Sequence, residues 1–202
     1  MSKVAIGLGV VGIVLAIVAL VGPWWTMTAS VLVVTVSLNF GLFGASGTMP
    51  GGGAVGGSYS TLPHVGSVFM AGAALTALGL ILGVVMLLLI AMSGKKPGLR
   101  KIGAAMGIVG AIVLLVGPLY VMSALPGALS SDVFPSSSGI SISGFFGGIS
   151  AAGMSLTWGG GWGWYLAFVA AILLLIGGIL ALRAPKAAAM PAAPMAAPPP
   201  PQ

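Results

Sequence analysis

Asp132 is the only carboxylic acid side chain in the 202 residues, and His64 is the only imidazole. General acid–base chemistry by paired carboxylates needs two acids held in different environments, and one acid cannot supply it. A single histidine and no cysteine leave no ligand set for zinc or copper, no thiolate and no disulfide. Methionines are present, but they do not cluster at short spacing, and Met is a common packing residue in membranes. The one nucleophilic arrangement still open is Ser–His–Asp, because the segments holding His64 and Asp132 are rich in serine. No Gly-x-Ser-x-Gly elbow or similar context accompanies it. The two sit in different loops and could meet, but a lone loop histidine is more often a solvated residue. The expectation is a protein with no catalytic residue, no cofactor and no metal.

The elements that carry these residues follow from hydropathy. Hydrophobic residues make up 58% of the chain and charged residues 4%, against about a quarter charged in soluble domains. A helix needs roughly 20 apolar residues to cross the hydrocarbon core. Four stretches qualify, at 4–22, 66–92, 102–125 and 162–182, joined by loops at 23–65, 93–101 and 126–161. None holds an ionisable side chain in its interior, which argues against ion-coupled transport.

The seven basic residues are Lys3, Lys95, Lys96, Arg100, Lys101, Arg183 and Lys186. They flank the spans at alternate ends only. Lys and Arg accumulate on the cytoplasmic side, so both termini and 93–101 are expected inside the cell membrane, with 23–65 and 126–161 outside. The net charge of +6 thus reports topology, and no nucleic-acid partner is expected. Trp24, Trp25, Trp158, Trp162, Trp164, Tyr120 and Tyr165 fall near the outer span ends, where aromatic rings meet the headgroups. The first apolar run exceeds the usual signal-peptide core, so it reads as a retained span. Residues 187–202, rich in Ala and Pro, read as a disordered cytoplasmic tail.

Gly12–Trp25 and Gly107–Tyr120 align with four differences over fourteen positions, and both carry Gly-Pro followed by an aromatic position. Gly41-Leu-Phe-Gly44 and Gly144-Phe-Phe-Gly147 follow downstream. Two parallel helix–loop–helix repeats, related by an axis along the membrane normal, would explain both matches. Pro23 and Pro118 are expected to stop or kink their helices.

Residues 30–40 alternate as one strand, with Leu32, Val34, Val36, Leu38 and Phe40 on the side facing the helix ends and Val31, Val33, Thr35, Ser37 and Asn39 opposite. Residues 140–143 repeat the theme, and 58–62 reads as a returning strand. The glycine-rich 49–57 has no following Lys to make it a phosphate loop and reads as a turn. The fold expected is an all-α membrane bundle of four transmembrane helices with a small extracellular antiparallel β-sheet.

Small residues recur at spacing four in three spans: Gly72 with Thr76, and Gly79 with Gly83; Gly103, Gly107 and Ala111; Ala167 with Ala171, and Gly177 with Ala181. Such stripes let helices approach closely, within the bundle or against another chain.

The layout resembles the claudin-like superfamily of four-helix membrane proteins, whose termini are inside and whose larger first outer loop forms most of a small sheet. Pro23-Trp24-Trp25 is similar to that family's Pro-x-Trp. Gly41-Leu42-Phe43 resembles its Gly-Leu-Trp, with Phe for Trp. Ser46 stands where the family has the first of two paired cysteines. The resemblance implies a non-enzymatic role in lateral assembly or surface contact. The expected partners are the lipid bilayer and either further copies of the chain or other membrane subunits. An accessory subunit of a respiratory or transport complex is the alternative, and a small channel or carrier the third reading.

Overall fold

The computed structural model describes residues 3–32, 34–48, 53–93, 98–133, 142–151 and 153–183. Lys95, Lys96, Lys186 and the tail at 187–202 lie outside them. Four helices carry the apolar runs: α1 (Lys3–Val21), α2 (Pro63–Met92), α3 (Gly98–Asp132) and α4 (Trp162–Arg183). Each is long and apolar enough to cross a bilayer. Even the shortest, α1, spans roughly 30 Å at about 1.5 Å per residue. Length and composition make this a multi-pass membrane protein.

In lipid no hydrophobic effect pulls helices together, so contact depends on close packing. Here α2 packs along α3 and α1 along α4, and α3 joins the two pairs through its contact with α4. At the α2–α3 crossing two glycines meet. A Cβ on Gly79 would lie 2.8 Å from the Gly110 carbonyl oxygen, and one on Gly110 would lie 3.0 Å from the Gly79 oxygen. Backbone touches backbone there, and no larger residue fits without parting the helices.

Six strands form one antiparallel sheet in the order β4-β3-β2-β1-β6-β5. The first connection supplies β1 (Pro23–Val31), β2 (Val34–Gly41), β3 (Ala45–Thr48) and β4 (Ala54–Gly57), and the second supplies β5 (Gly147–Ala151) and β6 (Met154–Gly160). Opposed residues on neighbouring strands point to the same face. The pairings Trp25↔Phe40, Met27↔Leu38 and Met27↔Trp158 therefore build an apolar face. Near the helices this face is buried against Phe69 of α2, Val121, Leu125 and Leu129 of α3, and Trp164 of α4.

Several expectations needed revision. Residues 30–40 are not one strand: the chain reverses at Leu32, and β1 and β2 form a hairpin. Leu38 and Phe40 do face the core, but Val34, near the turn, is 39% exposed, so a charge there buries nothing. In the second connection the strands are β5 and β6 rather than 140–143; Ile142 is buried without being in a strand, and 140–141 lie outside the described residues. Residues 59–61 form a 3-10 turn instead of a strand. The glycine-rich 49–57, read as a turn, is in part strand: 54–57 form β4 and pair with β3, and 49–52 lie outside the described residues.

Pro118 does not stop its helix. Both Pro118 and Pro126 lie inside α3, which runs on to Asp132 past the expected end at 125. Each proline removes one intrahelical bond. Burial of Ala128 and Leu129 in the sheet-side core favours continuation. Of the expected interface aromatics, only Trp162, Tyr165 and Tyr120 are exposed. Trp24, Trp25, Trp158 and Trp164 are buried. Their indole N–H groups donate to the backbone oxygens of Ala19, Phe145, Gly144 and Pro118, which satisfies a donor that burial would otherwise strand.

Candidate interaction surface

The small-residue stripes face inward. Gly72, Thr76, Gly79 and Gly83 on α2, Gly103, Gly107 and Ala111 on α3, and Ala167, Ala171, Gly177 and Ala181 on α4 are all buried. A Cβ on Gly72 would meet Val121, on Gly83 Leu174, on Gly103 Leu89, on Gly107 the thioether of Met86, and on Gly177 the Ala5 carbonyl. These faces are used within one chain and offer nothing to a second. What α1 to α4 present outward is large aliphatic side chains such as Val14, Ile17, Ile81, Leu88, Ile112 and Ile172, a surface suited to lipid tails.

The sheet is different. Its apolar face extends past the helix ends that support it. At the far end Val31 pairs with Met154, Ile149 lies on the neighbouring strand, and all three are exposed, as is Val34. The two hairpin turns meet there: the Leu32 N–H donates to the Gly153 carbonyl at 3.2 Å. Leu32 has φ +54° and is 86% exposed. Left-handed backbone is unfavourable for a γ-branched residue, and an exposed leucine gains no burial in return. Strained, exposed positions of this kind cluster at functional sites. The turn carries no Gly, Asn or Pro signal, so sequence reasoning missed it.

Pro23, Trp25, Gly41, Leu42 and Phe43 sit at the other end of the sheet, beside the helices. Pro23 opens β1 directly after α1. Trp25 is fully buried against Phe40, ring centroids 5.3 Å apart. Gly41 turns the chain, its N–H donating to the Gly44 carbonyl at 2.9 Å, and its own carbonyl accepts from the Tyr59 hydroxyl at 2.6 Å. Burial pushes the Tyr59 phenol well above the usual tyrosine range, so it remains a donor. Leu42 is buried, near Gly72 of α2. Phe43 is 70% exposed and adds nothing to the core.

The chain's single acid and single imidazole meet. His64 Nδ1 and Asp132 Oδ1 are 2.6 Å apart, and Asp132 Oδ2 accepts the Val65 N–H at 2.8 Å. The sequence left open that these two residues could meet, and they do, because α3 carries Asp132 beyond its apolar span to the start of α2. Pro63 occupies the first turn of α2, and Leu62 gives no side-chain cap. Helix starts leave backbone donors unpaired, and Asp132 supplies the missing acceptor from the neighbouring helix. Burial raises the Asp132 pKa, but hydrogen bonds from Val65 and His64 and the His64 charge outweigh it, holding the carboxyl below its ordinary value of 3.8. The imidazole ring is largely exposed, at 66%, while the carboxylate is covered, at 4%. Ser67 donates to the His64 backbone carbonyl at 2.7 Å, so its hydroxyl is not aligned on the ring. The geometry is that of a cap and clasp between two helices.

Neither a protein-family model nor a curated protein matches the chain.

Proposed function

We propose that this chain is a non-enzymatic structural membrane protein of claudin-like build, which works through lateral or surface contacts with other membrane-protein chains. The observation that carries this reading is the overhang of the apolar sheet face, where Val31, Leu32, Val34 and Met154 are exposed with no helix behind them. Contiguous exposed apolar surface marks a contact site, and this one lies at the far end of the sheet. Four of the six strands come from the first connection, in line with the larger first loop of the claudin-like proteins. The duplication belongs to this reading too. Exchanging α1 with α3 and α2 with α4 turns the α1–α4 pair into the α3–α2 pair, and both are extensive contacts.

Orientation follows from charge. Lys3, Arg100, Lys101 and Arg183 lie at helix ends opposite the sheet, which by the positive-inside rule supports a sheet outside the cell and both termini in the cytoplasm.

The test exploits the absence of native cysteine. Leu32→Cys in the full chain gives one addressable thiol, to be cross-linked in native membranes and the adducts identified by mass. Adducts with a second copy are expected. A stoichiometric foreign subunit would instead favour the accessory-subunit reading. Leu32→Lys with Met154→Lys should abolish the adducts formed from a second reporter at Val34→Cys, whereas His64→Ala with Asp132→Ala should preserve assembly. Absence of any adduct at both reporters, or loss of cellular role in the double alanine variant with the bundle intact, would overturn the proposal.

A further inference from the structure

From Thr26 outward, the second face of the sheet bears polar side chains across β1, β2, β3 and β6. Register places Thr26 opposite Asn39 and Asn39 opposite Ser46. One step outward, Thr28 is opposite Ser37, Ser37 opposite Thr48, and Thr28 opposite Thr157. A third step pairs Ser30 with Thr35 and with Ser155. Three successive cross-strand rows thus bear hydroxyl or amide side chains on one face, and none of these residues is charged. Sequence alternation alone indicated only its β2 part, Thr35, Ser37 and Asn39.

The row nearest the helices ends in a cavity. Glycine flanks Thr26–Asn39–Ser46 on both sides, Gly159 beside Thr26 and Gly56 beside Ser46, which keeps the row an open trough. Where the trough meets the end of α1 and the start of α4, a cavity of about 400 Å³ is lined by Val21, Thr26, Asn39, Gly41, Ser46 and Trp162. That volume lies in the lower part of the roughly 300–1,000 Å³ typical of small-molecule sites. Trp162 is half exposed, and its ring lies directly over Gly22, where a Cβ would collide with it. Val21, at the rim, continues the exposed stripe Val14–Ile17–Val18 along α1. The cavity is therefore polar at its floor, aromatic at one wall and continuous with lipid-facing surface.

We infer that this cavity binds a neutral sugar unit. Hydroxyl and amide side chains both donate and accept, which suits a ring of hydroxyl groups. Asn39 and Ser46 make no side-chain hydrogen bond to another described residue, so their capacity is open to a ligand. Among the described residues that line the cavity none is Lys or Arg, so an anionic headgroup finds no cation among them. The aromatic wall offers an apolar surface to the C–H face of a sugar, and Trp at the end of a span sits at headgroup depth. The sugar comes either from a glycolipid headgroup in the same leaflet or from a free glycan. This inference rests on the membrane-spanning reading of the helices and not on self-assembly.

The experiment uses the full chain in nanodiscs and in a detergent without a sugar head. Probes are glucosyl-diacylglycerol in the nanodisc, free cellohexaose in solution, and phosphatidylglycerol as the anionic control. Binding is read per chain, by native mass spectrometry and by Trp fluorescence, and does not depend on oligomeric state. Saturable binding of either neutral probe is expected. Preference for the glycolipid identifies a headgroup source, and preference for cellohexaose a free glycan. Asn39→Leu and Trp162→Ala should each weaken binding at least tenfold. Ser46→Val, at an exposed position, should weaken it several-fold and serves if the first two do not fold. No binding of either neutral probe above phosphatidylglycerol, or binding that a folded Asn39→Leu or Ser46→Val leaves unchanged, would overturn the inference. Failure here with cross-linking intact at Leu32→Cys would leave the assembly proposal standing, and the reverse result would remove assembly alone.

Discussion

Ser46 and Gly56 face each other across β3 and β4, and a Cβ placed on Gly56 would stand 3.9 Å from the Cβ of Ser46. Native disulfides have Cβ atoms roughly 3.5–4.5 Å apart. Gly56 has no left-handed φ to oppose a side chain, and its nearest neighbour, the Ala45 oxygen at 3.4 Å, is at ordinary contact distance. Ser46→Cys with Gly56→Cys is expected to oxidise spontaneously and to raise stability by roughly 2–3 kcal/mol, the chain-entropy value for so short a loop. Thiol counting before and after mild oxidation, with melts under reducing and non-reducing conditions, checks it. Two free thiols after oxidation would contradict the β3–β4 register.

Asp132 gives the protein a simple acid response. Its folded pKa lies below the ordinary 3.8, so the clasp is fully present above that value and is lost as pH falls through the lower, folded one. Melting temperature should therefore show no pH dependence from this group between pH 7 and about pH 5, where its stabilisation is complete, then fall below about pH 4. Asp132→Asn should flatten that fall, because no other side-chain carboxyl exists. At neutral pH, Asp132→Ala should cost on the order of 1–2 kcal/mol, as loss of a helix N-cap does. A wild-type melt that keeps its neutral-pH value down to pH 2.5 would rule out the clasp.

The four helices were legible because lipid imposes a length and a polarity on each. Much of the sheet was not. Val31-Leu32-Val33 reads as uninterrupted strand, since reversing at a leucine with φ +54° violates the residue preferences of hairpins. Pro126-Gly127 reads as a helix end, and burial of Leu129 overrides it. Asp132 and His64 could be named as the only side-chain acid and the only imidazole, but their contact depends on that extension of α3. The alternation Thr26-Met27-Thr28-Ala29-Ser30 was visible in principle. Two preceding tryptophans made the segment look like a membrane interface, when their rings are core.

Glycine on α2 should tolerate substitution unequally. A Cβ on Gly79 would lie 2.7 Å from the Leu114 backbone nitrogen and 2.8 Å from the Gly110 oxygen, whereas one on Gly83 would meet the side-chain methyls of Leu174 at 3.2 and 3.3 Å. Backbone cannot yield, and a leucine end can rotate. Gly79→Ala is expected to destabilise by about 1–3 kcal/mol, the usual range for overpacking. Gly83→Ala should cost less than about 1 kcal/mol. Reversible unfolding in mixed micelles compares them, and equal costs would show that α2 and α3 do not cross at Gly79 and Gly110.

The apolar face of β2 changes character along its length, which predicts opposite outcomes for the same substitution. Phe40 is 4% exposed, whereas Val34 is 39% exposed. Phe40 also packs against Trp25 and stacks on Phe69, with centroids 5.3 and 6.4 Å apart. Removing a buried aromatic costs roughly 3–5 kcal/mol, and an uncompensated buried ammonium adds to that. Phe40→Lys should therefore unfold the sheet or prevent accumulation of the protein. Val34→Lys places its ammonium in water and should change stability by no more than about 0.5 kcal/mol, while weakening contacts made by the far end of the sheet. Stability of the purified variants and cross-linking yield at Leu32→Cys separate the two effects. If Val34→Lys destabilised the chain as strongly as Phe40→Lys, the far end of the face would be buried and the proposed contact surface would not exist.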